Sequence, residues 1–109
     1  MIMSNSTEKD SMVWCATFDL AREESNELTD FKFRAIVNVY ALAENNEDFL
    51  YKVAIALLTD RFKDIELTEE PTEVYIDSSS KTRHKEIVKL AIDSNKVIYD
   101  TFYSYLDEG

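Results

Sequence analysis

Residues 31–42 read Phe-Lys-Phe-Arg-Ala-Ile-Val-Asn-Val-Tyr-Ala-Leu, and the period of this stretch decides the fold. Phe31, Phe33, Ala35, Val37, Val39 and Ala41 fall on one side of an extended chain, while Lys32, Arg34 and Asn38 all fall on the other. On a helix those three polar positions would scatter around the axis, so the alternation predicts a strand. Upstream, residues 12–20 alternate in the same way: Met12, Trp14, Ala16, Phe18 and Leu20 against Val13, Cys15, Thr17 and Asp19. Aromatic and β-branched content suits a strand with one well-buried face. The polar run 22–30, centred on Ser25 and Asn26, then reads as the loop of a long antiparallel hairpin.

Downstream, Glu44-Asn45-Asn46 is a turn in which Asn46 can cap a helix begun by Glu47 and Asp48. Leu50, Val53, Ala54, Leu57, Leu58 and Phe62 recur at helical spacing and carry that helix to about residue 63. Residues 64–72, acidic and containing the one proline, Pro71, read as a connector; residues 73–77, with Val74-Tyr75-Ile76, read as a third strand. Ser78-Ser79-Ser80 opens a second helix, expected from residue 81 to about 106 and burying Ile87, Leu90, Ala91, Val97, Ile98, Phe102 and Tyr105. The expectation is an α+β fold: a small mixed β-sheet in β-β-α-β-α order, with two helices packed on one face. One domain spans residues 12–109, after a polar segment 1–11 that frays.

Charge is spread unevenly over this frame. The net charge is −10, yet residues 31–64 and 81–109 each balance to zero. Residues 1–30 hold seven acids against two bases, and residues 65–80 hold five acids and no base. A crossover from the second strand through the first helix makes strands two and three parallel. The hairpin loop and the connector then lie at the same end of the sheet. Asp19, Glu23, Glu24, Glu27 and Asp30 would there meet Glu66, Glu69, Glu70 and Glu73 in one acidic pole. Such a pole steers a basic partner, with carboxylates standing where phosphates would, although the same acids also serve plain solvation. Direct binding of nucleic acid or of an anionic membrane is disfavoured, since both need clustered Lys and Arg.

Other motifs carry less. Ser80, Lys81, Arg83 and Lys85 at a helix start suit a weak anion site, but no glycine lets a ligand near the backbone there. Cys15 and His84 are the only thiol and imidazole; with no third orienting group they read as a small buried hydrophobe and a solvated side chain. No calcium loop or zinc spacing is present, so no cofactor or metal is implied. Tyr99 and Tyr103 flank the core stripe of the last helix, as interface aromatics or as a cover for the sheet edge. Ile36, Tyr40 and Leu42 on the far face of the second strand would need a cover, for which a homodimer is one candidate.

These features point to a non-enzymatic, cytoplasmic, acidic protein without a secretory signal or an apolar run long enough to cross a membrane. It would inhibit a basic, nucleic-acid-binding or nuclease-like protein partner. Small size, acidity and absence of catalytic machinery form a profile shared by immunity proteins, antitoxins and phage anti-defence proteins, and this chain would act as a nucleic-acid mimic. Asp19, Glu23, Glu24, Glu27, Glu66, Glu69, Glu70 and Glu73 would supply charge complementarity, with Tyr75 or Tyr103 as the buried anchor. The alternative is a homodimeric assembly module whose acidity serves solubility only.

Overall fold

The structure, a computed structural model, describes residues 11–105. It is an α+β fold in β-β-α-β-α-β order: β1 (Met12–Arg22), β2 (Arg34–Ala43), α1 (Asn46–Thr59), β3 (Phe62–Glu73), α2 (Thr82–Ser94) and β4 (Ile98–Tyr105). The four strands form one sheet in the order β3-β1-β2-β4, and every neighbouring pair is antiparallel. Strands β1 and β2 make the expected long hairpin, in continuous register from Met12 opposite Ala43 to Ala21 opposite Arg34.

That register sorts side chains onto two faces. On the first, Ala16, Phe18, Leu20, Ala35, Val37 and Val39 pack against Phe49, Val53 and Leu57 of α1, with Phe62 closing one end. On the second, Val13 and Tyr40 pack against Ile87, Val88 and Ala91 of α2 in a smaller cluster. The helices therefore sit on opposite faces, not on one. Helix α1 bridges β2 to β3 across the first face, and α2 crosses from the edge strand β3 to the edge strand β4 over the second.

Several boundaries differ from the sequence expectation, each for a local reason. Strand β2 begins at Arg34, because Phe31 turns inward to stack on Phe62 (6.5 Å) and Phe102 (5.9 Å). The cap of α1 is Asn45 rather than Asn46: its Oδ1 accepts from the Asp48 amide (2.8 Å), while Asp48 returns a bond to the Glu44 amide (3.0 Å). That helix stops at Thr59, where Arg61 adopts a left-handed conformation (φ 68°), and Phe62 starts β3. The acidic connector is thus a strand, and the third strand expected at 73–77 lies beyond its end. Pro71 is tolerated because β3 is an edge strand with a bulge there. Strands β2 and β3 do run in the same direction, but β1 lies between them, so the sheet is antiparallel rather than mixed.

The long C-terminal helix breaks in two. Asn95 adopts φ 54° and returns its amide to the Ala91 carbonyl (3.0 Å), which ends α2; residues 98–105 then add strand β4. A bulge between Val37 and Val39 puts Tyr99 and Phe102 on the same face three residues apart, a spacing that imitates a helix. Ser11 aside, the segment expected to fray lies outside the described residues.

Candidate functional site

Helix α2 covers only part of the second face. Beyond it the face stays open and is built from Thr17, Asp19, Arg34, Ile36, Asn38, Tyr103 and Tyr105, with Glu66 and Glu69 along the β3 side. Glu66 lies opposite Asp19 and Glu69 opposite Thr17, while Tyr103 lies opposite Ile36. Glu66 and Glu69 are exposed, Tyr103 is 65% exposed and Ile36 38%.

The floor of this surface is a polar network. Thr17 Oγ1 donates to Asn38 Oδ1 (2.6 Å), with Glu69 Oε1 as a longer second acceptor (3.4 Å). Arg34 Nε donates to Asp19 Oδ1 (2.7 Å), and Arg34 Nη2 reaches the carbonyls of Asp19 (3.2 Å) and Asp64 (2.7 Å). Tyr105 donates its hydroxyl to the other oxygen of Asp19, which pushes the phenol above its usual pKa. Asp19 is thereby consumed inside the fold, whereas Glu66 and Glu69 present their charge outward. Asp64 makes its carbonyl available by taking a left-handed conformation (φ 51°) where β3 bulges opposite β1.

The two acidic segments meet only where β3 begins. The loop folds back on the α1–β3 turn: the Glu23 amide donates to the Arg61 carbonyl (2.9 Å). Buried Asn26 holds it there, accepting from the amides of Leu28 (2.9 Å) and Thr29 (3.0 Å) and donating to the Asp60 carbonyl (2.5 Å). From that turn β3 runs away along β1, and Glu73 ends opposite Trp14, about 26 Å further on at strand rise. Asp19, Glu66, Glu69 and Tyr103 therefore share one open face. Glu23, Glu24 and Glu27 stay with the loop. Glu73 and exposed Tyr75, hydrogen-bonded to each other (2.5 Å), lie at the far end, and Glu70 is at a bulge of the edge.

The proposed anion cluster is partly spoken for. Arg83 pairs with Asp100 (2.5 Å), and Ser80 Oγ accepts from the Asp77 amide (3.1 Å). Asp77 itself accepts from the Ser79 amide and hydroxyl, bonds that lower its pKa, so the turn before α2 already carries an anion of its own. Cys15 and His84 do come near each other through Tyr40, which lies opposite Cys15 and meets His84 Nδ1 at 3.3 Å. Burial pushes the Cys15 thiol up to about 11, which favours the protonated thiol over the thiolate at neutral pH.

Sequence reasoning did not find the Asn26 hub or the role of Tyr105. Asn26 stood in a turn-forming run, which was its only signal; Tyr105 was assigned to a helical stripe that does not exist. Among the described residues no helix is long and apolar enough to cross a membrane. Comparisons with protein-family models, with curated proteins and with solved structures return no match for this chain.

Proposed function

We propose that this protein is a non-enzymatic inhibitor whose open sheet face docks onto a basic, nucleic-acid-binding surface of a protein partner. The carrying observation is the register that sets outward-facing Glu66 and Glu69 on the same open face as exposed Ile36 and Tyr103, with Glu66, Asp19, Ile36 and Tyr103 in one row across the sheet. Carboxylates on a rigid strand, two strand spacings from Ile36 and about three from the Tyr103 ring, match what a phosphate-binding groove receives: fixed negative charge across the same face from a flat apolar body. The Asp19–Arg34–Tyr105 network keeps that surface in one shape, which limits the ordering cost of docking. Glu70 extends the charged edge and Glu23, Glu24 and Glu27 add long-range steering from the loop. An immunity, antitoxin or anti-defence role in the cytoplasm fits such an activity.

Capture of partners from lysate by wild type and by a Glu66→Lys/Glu69→Lys variant, at low and high salt, tests this reading. A basic partner held by wild type at low salt, and lost by the variant or by salt, is the expected outcome. Capture that is indifferent to both removes the proposal.

The second reading, a homodimeric assembly module, draws on a different observation. Tyr51, Ile55 and Leu58 line the outer face of α1 and are all exposed. The patch at Tyr40 and Leu42 is meanwhile covered by α2, so a dimer through that face is not what the open sheet offers. Sedimentation across a concentration series, with Leu58→Glu as the disrupting variant, separates the two readings.

A further inference from the structure

At the loop end of the sheet, four bases of an acidic protein line one groove. A depression of about 310 Å³ is lined by Arg22, Lys32, Arg34 and Lys63, with Ala21, Phe33 and Asp64. Four of the chain's twelve bases thus meet in one place, from the end of β1, the loop, the start of β2 and the start of β3. Register explains how: Ala21 pairs with Arg34 on one side and with Lys63 on the other. Its methyl group forms a low floor between two cations whose Cα atoms stand about 10 Å apart, two strand spacings.

Those charges are poorly compensated. Arg34 is held by Asp19, but Arg22, Lys32 and Lys63 have no carboxylate within ion-pair distance among the described residues. Arg22 donates instead to the Asn26 carbonyl, and its Nε is buried with no hydrogen-bond partner. Four bases gathered with only Asp19 and Asp64 against them are unfavourable, and in a chain of net charge −10 nothing general requires them. A second depression, lined by Asp30, Phe31, Lys32, Phe33, Ser104 and Tyr105, adjoins the first and shares Lys32 and Phe33 with it. Phe33 is 49% exposed and Tyr105 39%, so two aromatic rings flank the cationic floor.

We infer that this groove binds a small phosphoester of a planar group, of the nucleoside monophosphate class. The phosphate sits over Ala21 among Arg34, Lys32 and Lys63, and the planar group rests against Phe33 and Tyr105. Arg34 suits the phosphate because its Nε and Nη2 are already fixed by Asp19 and Asp64, which holds the guanidinium in one orientation at the edge of the groove. A nucleic-acid polymer is a different matter: its many phosphates would run past the four bases into the acids of β3 and the loop.

The test is titration of the full chain at low salt, followed by amide chemical shifts, with adenosine monophosphate, inorganic phosphate and adenosine as separate probes. Adenosine monophosphate should saturate with shifts at Ala21, residues 32–34 and Lys63, and inorganic phosphate should bind about tenfold more weakly, since stacking adds about one decade. Lys32→Glu/Lys63→Glu, both exposed and so compatible with folding, should weaken the nucleotide about tenfold or more with melting unchanged. Phe33→Ala should weaken the nucleotide and leave phosphate binding as it was. No saturable shift at millimolar nucleotide, equal binding by the charge-reversed variant, or equal affinity for phosphate and nucleotide would each overturn the inference.

Discussion

The two faces of the sheet are built differently. The first, under α1, is sealed along its length: Leu20, Ala35, Val37, Val39, Phe49, Val53 and Phe62 are wholly buried. The second is sealed only under α2, and then gives way to Thr17–Asn38 and Asp19–Arg34 pairs, which are polar groups satisfied by one another. A buried apolar face supplies stability; a face of paired polar groups with acids and aromatics standing on it supplies contact. Substitutions should therefore cost stability on the first face and recognition on the second.

The largest effect is expected at Phe62, which stacks on Phe102 (5.5 Å) and meets Tyr99 edge-on (5.8 Å). Phe62→Ala should lower unfolding free energy by about 3–5 kcal/mol in denaturant titration, through lost burial and a cavity the sheet cannot collapse. Ile87→Ala, in the smaller cluster, should cost about 2 kcal/mol, at the low end for its type, because the edge of α2 is close to water. Equal losses at the two sites would erase the asymmetry between the faces.

The first face was the legible one. Alternation at 12–20 and 31–41 named Ala16, Phe18, Leu20, Val37 and Val39 as inward, and they are. What the sequence concealed were the edges. Strand β3 keeps only Phe62 and Pro71 buried and is interrupted by three register shifts, so no period survives in it. Strand β4 carries one bulge, which turned a period of two into a spacing of three. Bulges twist an edge away from further pairing and blunt it, and the same device erases the pattern by which a strand is read. The candidate surface inherits that difficulty. Glu66 and Glu69 were visible as acids, but which way they point is set by where the bulges of β3 fall. The basic groove had only a partial signal, Lys32 and Arg34 on one side of the same segment, since Arg22 and Lys63 join them only through strand pairing.

At the border between the faces stands Asn26, which fixes the loop to the end of α1. Asn26→Ala leaves the amides of Leu28 and Thr29 without an acceptor and should cost about 2 kcal/mol in the same titration. Amide exchange in residues 23–33 should rise with it. If stability falls while that loop stays protected, the hub lies elsewhere.

A smaller effect is expected from pH. Burial holds the folded Cys15 thiol at about 11 against an ordinary 9.0. The folded state thus keeps a proton that the unfolded chain releases. Stability from this site is intact below pH 9.0 and drains away as pH climbs through about 11. Tyr40 and Tyr99, both also raised by burial, act in the same sense from their ordinary value of 10.0 upward. Cys15→Ala should therefore flatten the fall in melting temperature between pH 9 and 10, the interval the thiol holds nearly alone. An unchanged slope there would show that the thiol is not buried under α2.

The smallest change in stability should come from Glu66, and its sign is what matters. Glu66 lies directly opposite Asp19, and like charges facing each other across strands repel, although Arg34 offsets part of that. Nothing among the described hydrogen bonds or ion pairs gives Glu66 a partner of its own. Glu66→Gln should therefore raise unfolding free energy by a few tenths of a kcal/mol. A carboxylate that costs the fold something is what the proposed docking surface requires at this position. If Glu66→Gln instead destabilises the protein, the acid belongs to the fold's own electrostatics, and the second face loses its claim to be the recognition surface.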